Sequence, residues 1–206
     1  MIKAIILDMG GVLIDFNQER CFTAFCQKAG FYDIADYIDP RHPRGFIHFL
    51  EGGAISEDEF YEEALRHCWP GTTKEIIRDC FISFFEGITE DKIQFLKELH
   101  EKDEYDLYLL TNNNPISMKY FREYFASVGI PLDVIFKKQF ISYEMKMQKP
   151  SKEIFEEVLR QVGLPSDQIL FVDDSHLNTD AAESLGIHTV QYAQRSDLRK
   201  AVFDSL

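Results

Sequence analysis

Five short apolar runs, most of them set apart by helical stretches, leave this chain few architectures to choose from. They are "IKAIILD", "YDLYLLTN", the weaker "DVIFKKQFIS", "QILFVDD" and "HTVQY". Between them, "EDKIQFLKELHEK" carries Ile93, Phe95, Leu96 and Leu99 at mostly helical spacing. "SKEIFEEVLRQVG" starts with Ser151 as N-cap and stops at Gly163, and "NTDAAESLG" closes at Gly186. From about residue 90 the order reads helix, strand, helix, strand, helix, strand, strand. Apolar strands alternating with helices predict an α/β fold: a doubly wound, Rossmann-like parallel sheet covered on both faces. In such sheets a ligand binds beyond the carboxyl ends of the strands.

Between the first strand and the rest lies a block of another kind. "QERCFTAFCQKAG", "ISEDEFYEEALRHC" and "TKEIIRDCFISFF" read as helices, the second with Ser56 and Glu59 at capping-box spacing. No convincing strand lies between Phe16 and Glu86. The expected organisation is a core formed by residues 1–15 and 87–206, with residues 16–86 inserted after the first strand as a small all-helical cap. Helices packed as an ordinary part of one domain are the plainer alternative.

Bulk chemistry excludes several roles. A net charge of −13 over 206 residues repels polyanions, so neither nucleic acid nor an anionic membrane is expected as a partner. No apolar run approaches the ~18 residues of a membrane span. Lys3 alone precedes the first apolar run, which ends in Asp8, so that run reads as a strand and not a signal peptide. Cys21, Cys26, Cys68 and Cys80 form no C-x-x-C pair, which fits free thiols in a reducing cytoplasm. A small anionic substrate would need a locally positive site built from a metal, a lysine or helix N-termini.

Polar clusters end three of the predicted strands: Asp8, Thr111–Asn112 and Asp173–Asp174. Lys149 precedes the "SKEIF" helix. Singly, such residues cap helices or sit in solvent; a doubly wound sheet would bring all of them to one crevice. "DMGGVL", "LLTNNN", "KPSKEIF" and "FVDDSHLN" resemble, in order and position, the four motifs of the haloacid dehalogenase superfamily of phosphohydrolases. "DMGGVLIDF", "FLEGGAISEDEFYEEAL" and the Asp-Asp form of the fourth motif are similar to the subgroup containing bacterial alpha-glucose-1-phosphate phosphatases. The N-terminal phosphatase domain of epoxide hydrolases shares that Asp-Asp form.

The resemblance implies a mechanism. Asp8 would attack phosphorus and form an aspartyl-phosphate. Thr111, the Asn112 backbone at a helix N-terminus and Lys149 would hold the phosphoryl group. Mg²⁺ would be bound by Asp8, the Gly10 carbonyl and Asp174, with Asp173 as a further ligand or a support behind them. The expected activity is Mg²⁺-dependent hydrolysis of a small phosphorylated metabolite, such as a hexose 1-phosphate, by a monomer or homodimer in the cytoplasm.

Gly10 departs from the pattern, because many of these phosphatases place an aspartate there as general acid and base. Either the leaving group is acidic enough to go unaided, as an anomeric hydroxyl is, or another residue supplies the proton. Asp15, His48, Glu51 and His176 are the candidates, unranked. The rival readings are a weak or inactive relative that binds a phosphometabolite or a protein, and a metal-independent 2-haloacid dehalogenase. Trp69 could line a cap pocket, but packing is the role expected of it. The basic cluster Arg41, His42 and Arg44 could touch substrate or simply be solvated.

Overall fold

Strand β1 (Ala4–Leu7) is the middle of a five-stranded sheet, and all four of its residues are essentially inaccessible to solvent. The computed structural model describes residues 1–38 and 45–206; the basic cluster Arg41, His42 and Arg44 lies outside the described residues. After β1 come a short strand β2 (Asp15–Phe16) and the helices α1 (Gln18–Ala24), α2 (Gly45–Glu51), α3 (Glu57–Arg66) and α4 (Lys74–Ile82). A strand β3 (Phe85–Gly87) then leads to α5 (Glu90–Lys102), β4 (Asp106–Thr111), α6 (Pro115–Ser127), α7 (Leu132–Ile135), β5 (Lys138–Ile141) and α8 (Ser142–Met145). The chain closes with α9 (Lys152–Val162), β6 (Ile169–Asp173), α10 (His176–Glu183), β7 (His188–Gln191) and α11 (Leu198–Phe203).

The sheet order is β5-β4-β1-β6-β7, parallel throughout. This is the expected doubly wound sheet. The chain steps from β1 outward to β4 and β5, then returns to the other side of β1 for β6 and β7. The ends of β1, β4 and β6 therefore meet where the winding reverses, which is where such sheets bind ligands. Alternate strand residues feed two apolar layers, because side chains of a strand point to opposite faces. Ile5, Leu7, Leu107, Leu109, Leu170 and Val172 join one layer; Ala4, Ile6, Tyr108, Leu110, Ile169 and Phe171 join the other.

Several local readings hold, and some differ. Ser56 and Glu59 form the reciprocal capping box of α3, with Ser56 N donating to Glu59 Oε2 at 2.7 Å and Glu59 N to Ser56 Oγ at 3.2 Å. Ser151 occupies the N-cap of α9, though its side chain makes no capping bond. The first helix of the block changes to a π-helical turn over Phe25–Ala29. The apolar run "DVIFKKQFIS" divides: its first three residues belong to the turn α7 after Pro131, and only Lys138–Ile141 is strand. A helix, α10, lies between the last two strands and makes the parallel crossover between them. Trp69, expected to pack, is half-exposed over Gly30 with its ring 6.2 Å from Tyr32.

The helices α1 to α4 lie between β2 and β3, which pair antiparallel with each other. Two such short strands carry no alternation to read, so the sequence gives no sign of them. The block's apolar residues (Cys21, Phe25, Phe31, Phe60 and Ile77 among them) belong to the same buried cluster as Leu7, Leu96 and Phe121. Where β2 begins, Asp15 is bonded to the buried Lys92 of α5, Nζ to Oδ1 at 3.3 Å. Burial holds the Lys92 ammonium below its usual range, with Asp15 opposing that effect. Removing one partner of a buried pair leaves the other uncompensated, at a cost of about 3–5 kcal/mol. Lys92→Met is therefore expected to lower unfolding stability by about that much in urea titrations, and Lys92→Met/Asp15→Leu to recover most of it.

Candidate active site

Asp8 directly follows β1, Thr111 ends β4, and Asp173 ends β6 with Asp174 just beyond, so parallel pairing sets all four at one edge of the sheet. Lys149 reaches the same place from the loop before α9. Its ammonium is buried and lies 3.0 Å from Asp8 Oδ1, 2.6 Å from Asp173 Oδ2 and 3.0 Å from the Leu110 carbonyl. Burial pulls this lysine down, but the carboxylates of Asp173 and Asp8 outweigh it and hold the ammonium charged above its ordinary range. Asp8 Oδ1 also accepts the Met9 N–H at 2.7 Å. Burial, with Asp173 and Asp174 adding to it and Lys149 opposing it, raises the Asp8 carboxyl to about 7.

The acids divide their work. Asp173 is fully buried and both its oxygens are engaged: Oδ2 by Lys149, and Oδ1 by Ser175 N and Asn178 Nδ2, each at 2.9 Å. Asp174 is more open, lines the cavity, and accepts from Gln194 Nε2 at 2.8 Å. It lies flat against the first-strand loop, because a Cβ on Gly11 (φ +76°) would fall 2.3 Å from its Oδ2. Only glycine suits that position, for its positive φ and for this contact. Carboxylate oxygens of Asp8, Asp173 and Asp174 lie within 4.8 Å of one another. An all-oxygen set of this kind fits a hard divalent cation such as Mg²⁺.

Asn112 is placed differently from the sequence expectation. Helix α6 starts at Pro115 with Asn114 as its N-cap, bonded to Ser117 N at 3.0 Å, so Asn112 falls two residues short of the helix end. Its side chain instead clamps the Lys149 backbone: Oδ1 accepts from Lys149 N at 2.9 Å and Nδ2 donates to Lys149 O at 2.8 Å. Asn112 thereby fixes the origin of the catalytic lysine candidate.

Asp8, Thr111, Asn112, Lys149 and Asp174 line a cavity of about 220 Å³, whose walls carry Phe16, Phe81, Phe84, Phe85 and Phe121 beside other polar groups. Lys149 is the one lysine or arginine among its described lining residues. Sequence reasoning missed Ser117, whose fully buried hydroxyl lines the cavity and has no partner among the described residues. It also missed Ser142. That hydroxyl accepts from Asn113 N at 2.9 Å and lies 2.6 Å from the Glu51 carbonyl, tying α2 to the Thr111–Asn113 loop. Neither residue belongs to a motif, and isolated serines give no periodic signal.

A family model for haloacid dehalogenase-like hydrolases matches residues 2–186. The chain belongs to that family. It is 32% identical, over 97% of its length and 96% of the relative's, to D-ribitol-5-phosphate phosphatase of Bacteroides thetaiotaomicron. A haloacid dehalogenase family enzyme of the same species, solved as an aspartate-to-alanine variant with magnesium and inorganic phosphate, superposes with a TM-score of 0.90 at 32% identity, covering 96% of each chain. A HAD-like hydrolase of Porphyromonas gingivalis gives 0.89 at 33% identity, over 99% of this chain and 97% of that one.

Phe16 stands where a side chain at position 10 would go. A Cβ built on Gly10 falls 2.3 Å from Phe16 Cζ and 2.9 Å from Cε1. The ring is held from behind by Phe84, centroid to centroid 4.7 Å. Overpacking of this kind costs about 1–3 kcal/mol. Gly10→Ala should therefore lose stability in the wild-type background and much less beside Phe16→Leu. A double-mutant cycle read by urea unfolding is expected to give a coupling of about 1 kcal/mol or more.

Proposed function

We propose that this protein is a Mg²⁺-dependent phosphatase of small sugar or sugar-alcohol phosphates. The observation that carries the reading is the position of Asp8, on the cavity floor between the Lys149 ammonium and the Asp174 carboxylate. A dianionic phosphate can approach a carboxylate only where positive charge offsets both. Asp8 attacks phosphorus in line with the departing oxygen and forms an aspartyl-phosphate, which water then hydrolyses. Thr111 donates its hydroxyl to a phosphoryl oxygen. Lys149 neutralises the charge gathering on the transferring group, held in place by Asp173 and Asn112. Mg²⁺ bound by Asp8, the Gly10 carbonyl and Asp174 would supply the remaining positive charge. Asp173, with both oxygens engaged, acts as the support of Lys149 and not as a direct ligand.

The named relative and the magnesium-phosphate complex favour this reading over a metal-independent dehalogenase, and Asp8 with Asp174 offers a cation two carboxylates. The cavity suits a small metabolite. The relative's substrate name denotes the ester of a primary alcohol, which favours pentitol or other open-chain phosphates over hexose 1-phosphates for this chain.

The test is phosphate release from a panel of pentitol, pentose and hexose phosphates, with Mg²⁺ or EDTA. Turnover with Mg²⁺, its loss in EDTA, and a fall of about 10⁴-fold or more in Asp8→Asn are expected. Phosphate binding without turnover on the whole panel would instead establish a binding relative.

A further inference from the structure

An unactivated alcohol leaving a phosphomonoester needs a proton as its bond to phosphorus breaks, and Gly10 has no group to supply it. Phe16 closes the space where one would reach in. Of the acids and bases that could substitute, Asp15 is turned away into its bond with Lys92, and His176 is exposed on α10, off the cavity wall. His48 and Glu51 remain, one turn apart on α2 and both on the wall. Glu51 is the one tied directly to the Thr111 loop. It is the last residue of α2, and its carbonyl receives the Ser142 hydroxyl that also holds Asn113 N. One serine thus fixes the glutamate to the loop that carries Thr111. His48 sits a turn further back, with its ring 3.5 Å from Gln148 Nε2.

From this placement we propose that Glu51 is the general acid and base of the site, so that esters of ordinary, unactivated alcohols are its substrates. The proposal rests on the phosphatase reading above. In the first step Asp8 Oδ bonds to phosphorus, the bond from phosphorus to the alcohol oxygen breaks, and the Glu51 carboxylic acid gives that oxygen its proton. In the second step the Glu51 carboxylate takes a proton from water while that water's oxygen attacks the aspartyl-phosphate. The bond from phosphorus to Asp8 breaks, releasing phosphate and restoring both side chains.

The surroundings favour the acid form needed at the start. Burial raises the Glu51 carboxyl to about 8. The end of α2 adds the negative pole of the helix dipole, which further disfavours a carboxylate. Titratable groups facing the cavity among the described residues are His48 and Tyr37 from the helical block, and Asp8, Lys149 and Asp174 from the sheet edge. Among the described residues, none bonds the Glu51 carboxyl, which stays available to substrate and water.

The experiment compares wild type, Glu51→Gln and Glu51→Asp on 4-nitrophenyl phosphate and phenyl phosphate, following phenol and phosphate separately. Nitrophenol departs without a proton donor, but hydrolysis of the aspartyl-phosphate still needs a base. Glu51→Gln is therefore expected to release one equivalent of nitrophenol in a burst, followed by steady-state phosphate release slowed about 10²–10⁴-fold. Phenyl phosphate should show no burst and a larger loss, and Glu51→Asp should fall between, with an unfolding midpoint like that of wild type. Equal losses on both esters without a burst, or rates like wild type, would overturn the proposal. A wild type that releases phosphate from neither ester, nor from the sugar phosphate panel, would instead sink the phosphatase reading itself.

Discussion

The buried Lys149 ammonium is the interaction on which the rest of the site depends. Two aspartates ending adjacent parallel strands would repel each other in a protein interior, where an unpaired carboxylate is costly to desolvate. Lys149 lies between them, 3.0 Å from Asp8 and 2.6 Å from Asp173, and its third partner is the Leu110 carbonyl beside Thr111. One cation therefore ties together the ends of β1, β4 and β6. The same cation is what an anionic substrate requires inside a protein of net charge −13. Stability and phosphate chemistry place the same demand on this one side chain, so Asn112 and Asp173 are both spent on holding it still.

How far this was legible in the sequence varies with the kind of signal. The parallel sheet and the convergence of Asp8, Thr111, Lys149 and Asp173–Asp174 follow from short apolar runs ending in polar residues, because topology alone brings strand ends together. The capping box of α3 was readable for a similar reason, being set by spacing within one turn. What was not legible depends on contacts between distant segments. The antiparallel pair β2–β3 is too short to show alternation, and α7 took the start of a run whose composition suits a strand. The side-chain clamp of Asn112 on Lys149 spans 37 positions and leaves no local trace. Ser142, bridging Asn113 and Glu51, is equally invisible to any pattern of period two or 3.6.

Gly10 shows the same limit from the other side. Its identity raises the question of the missing acid, while the reason a side chain is excluded lies six residues on, in Phe16. That ring belongs to an aromatic series running through Phe84 and Phe85 to Phe121 on α6, with Phe85 and Phe121 centroids 4.6 Å apart. The series sits where the chain enters and leaves the helical block. Replacing the catalytic acid of the common pattern by glycine therefore makes room for packing that secures the base of this block against the core.

That packing has a consequence for how chemistry can be divided between the two parts. The apolar cluster runs without a break from α1–α4 into the layer beneath β1, and Arg20 of α1 bonds the carbonyls of Ser83 and Phe85 at the exit strand. A residue on the helical block can serve as a proton donor only if its distance to the strand ends is reproducible, since small misplacements are costly in catalysis. A loosely tethered lid would make Glu51 a poor acid. A block that shares one core with the sheet, pinned again at Ser142, can carry a catalytic group that the first-strand loop has given up. The shared core thus compensates for the glycine: the aromatic packing that occupies the usual place of the acid joins the same buried cluster as Phe46, Ile47 and Leu50 of α2, the element from which its replacement can act.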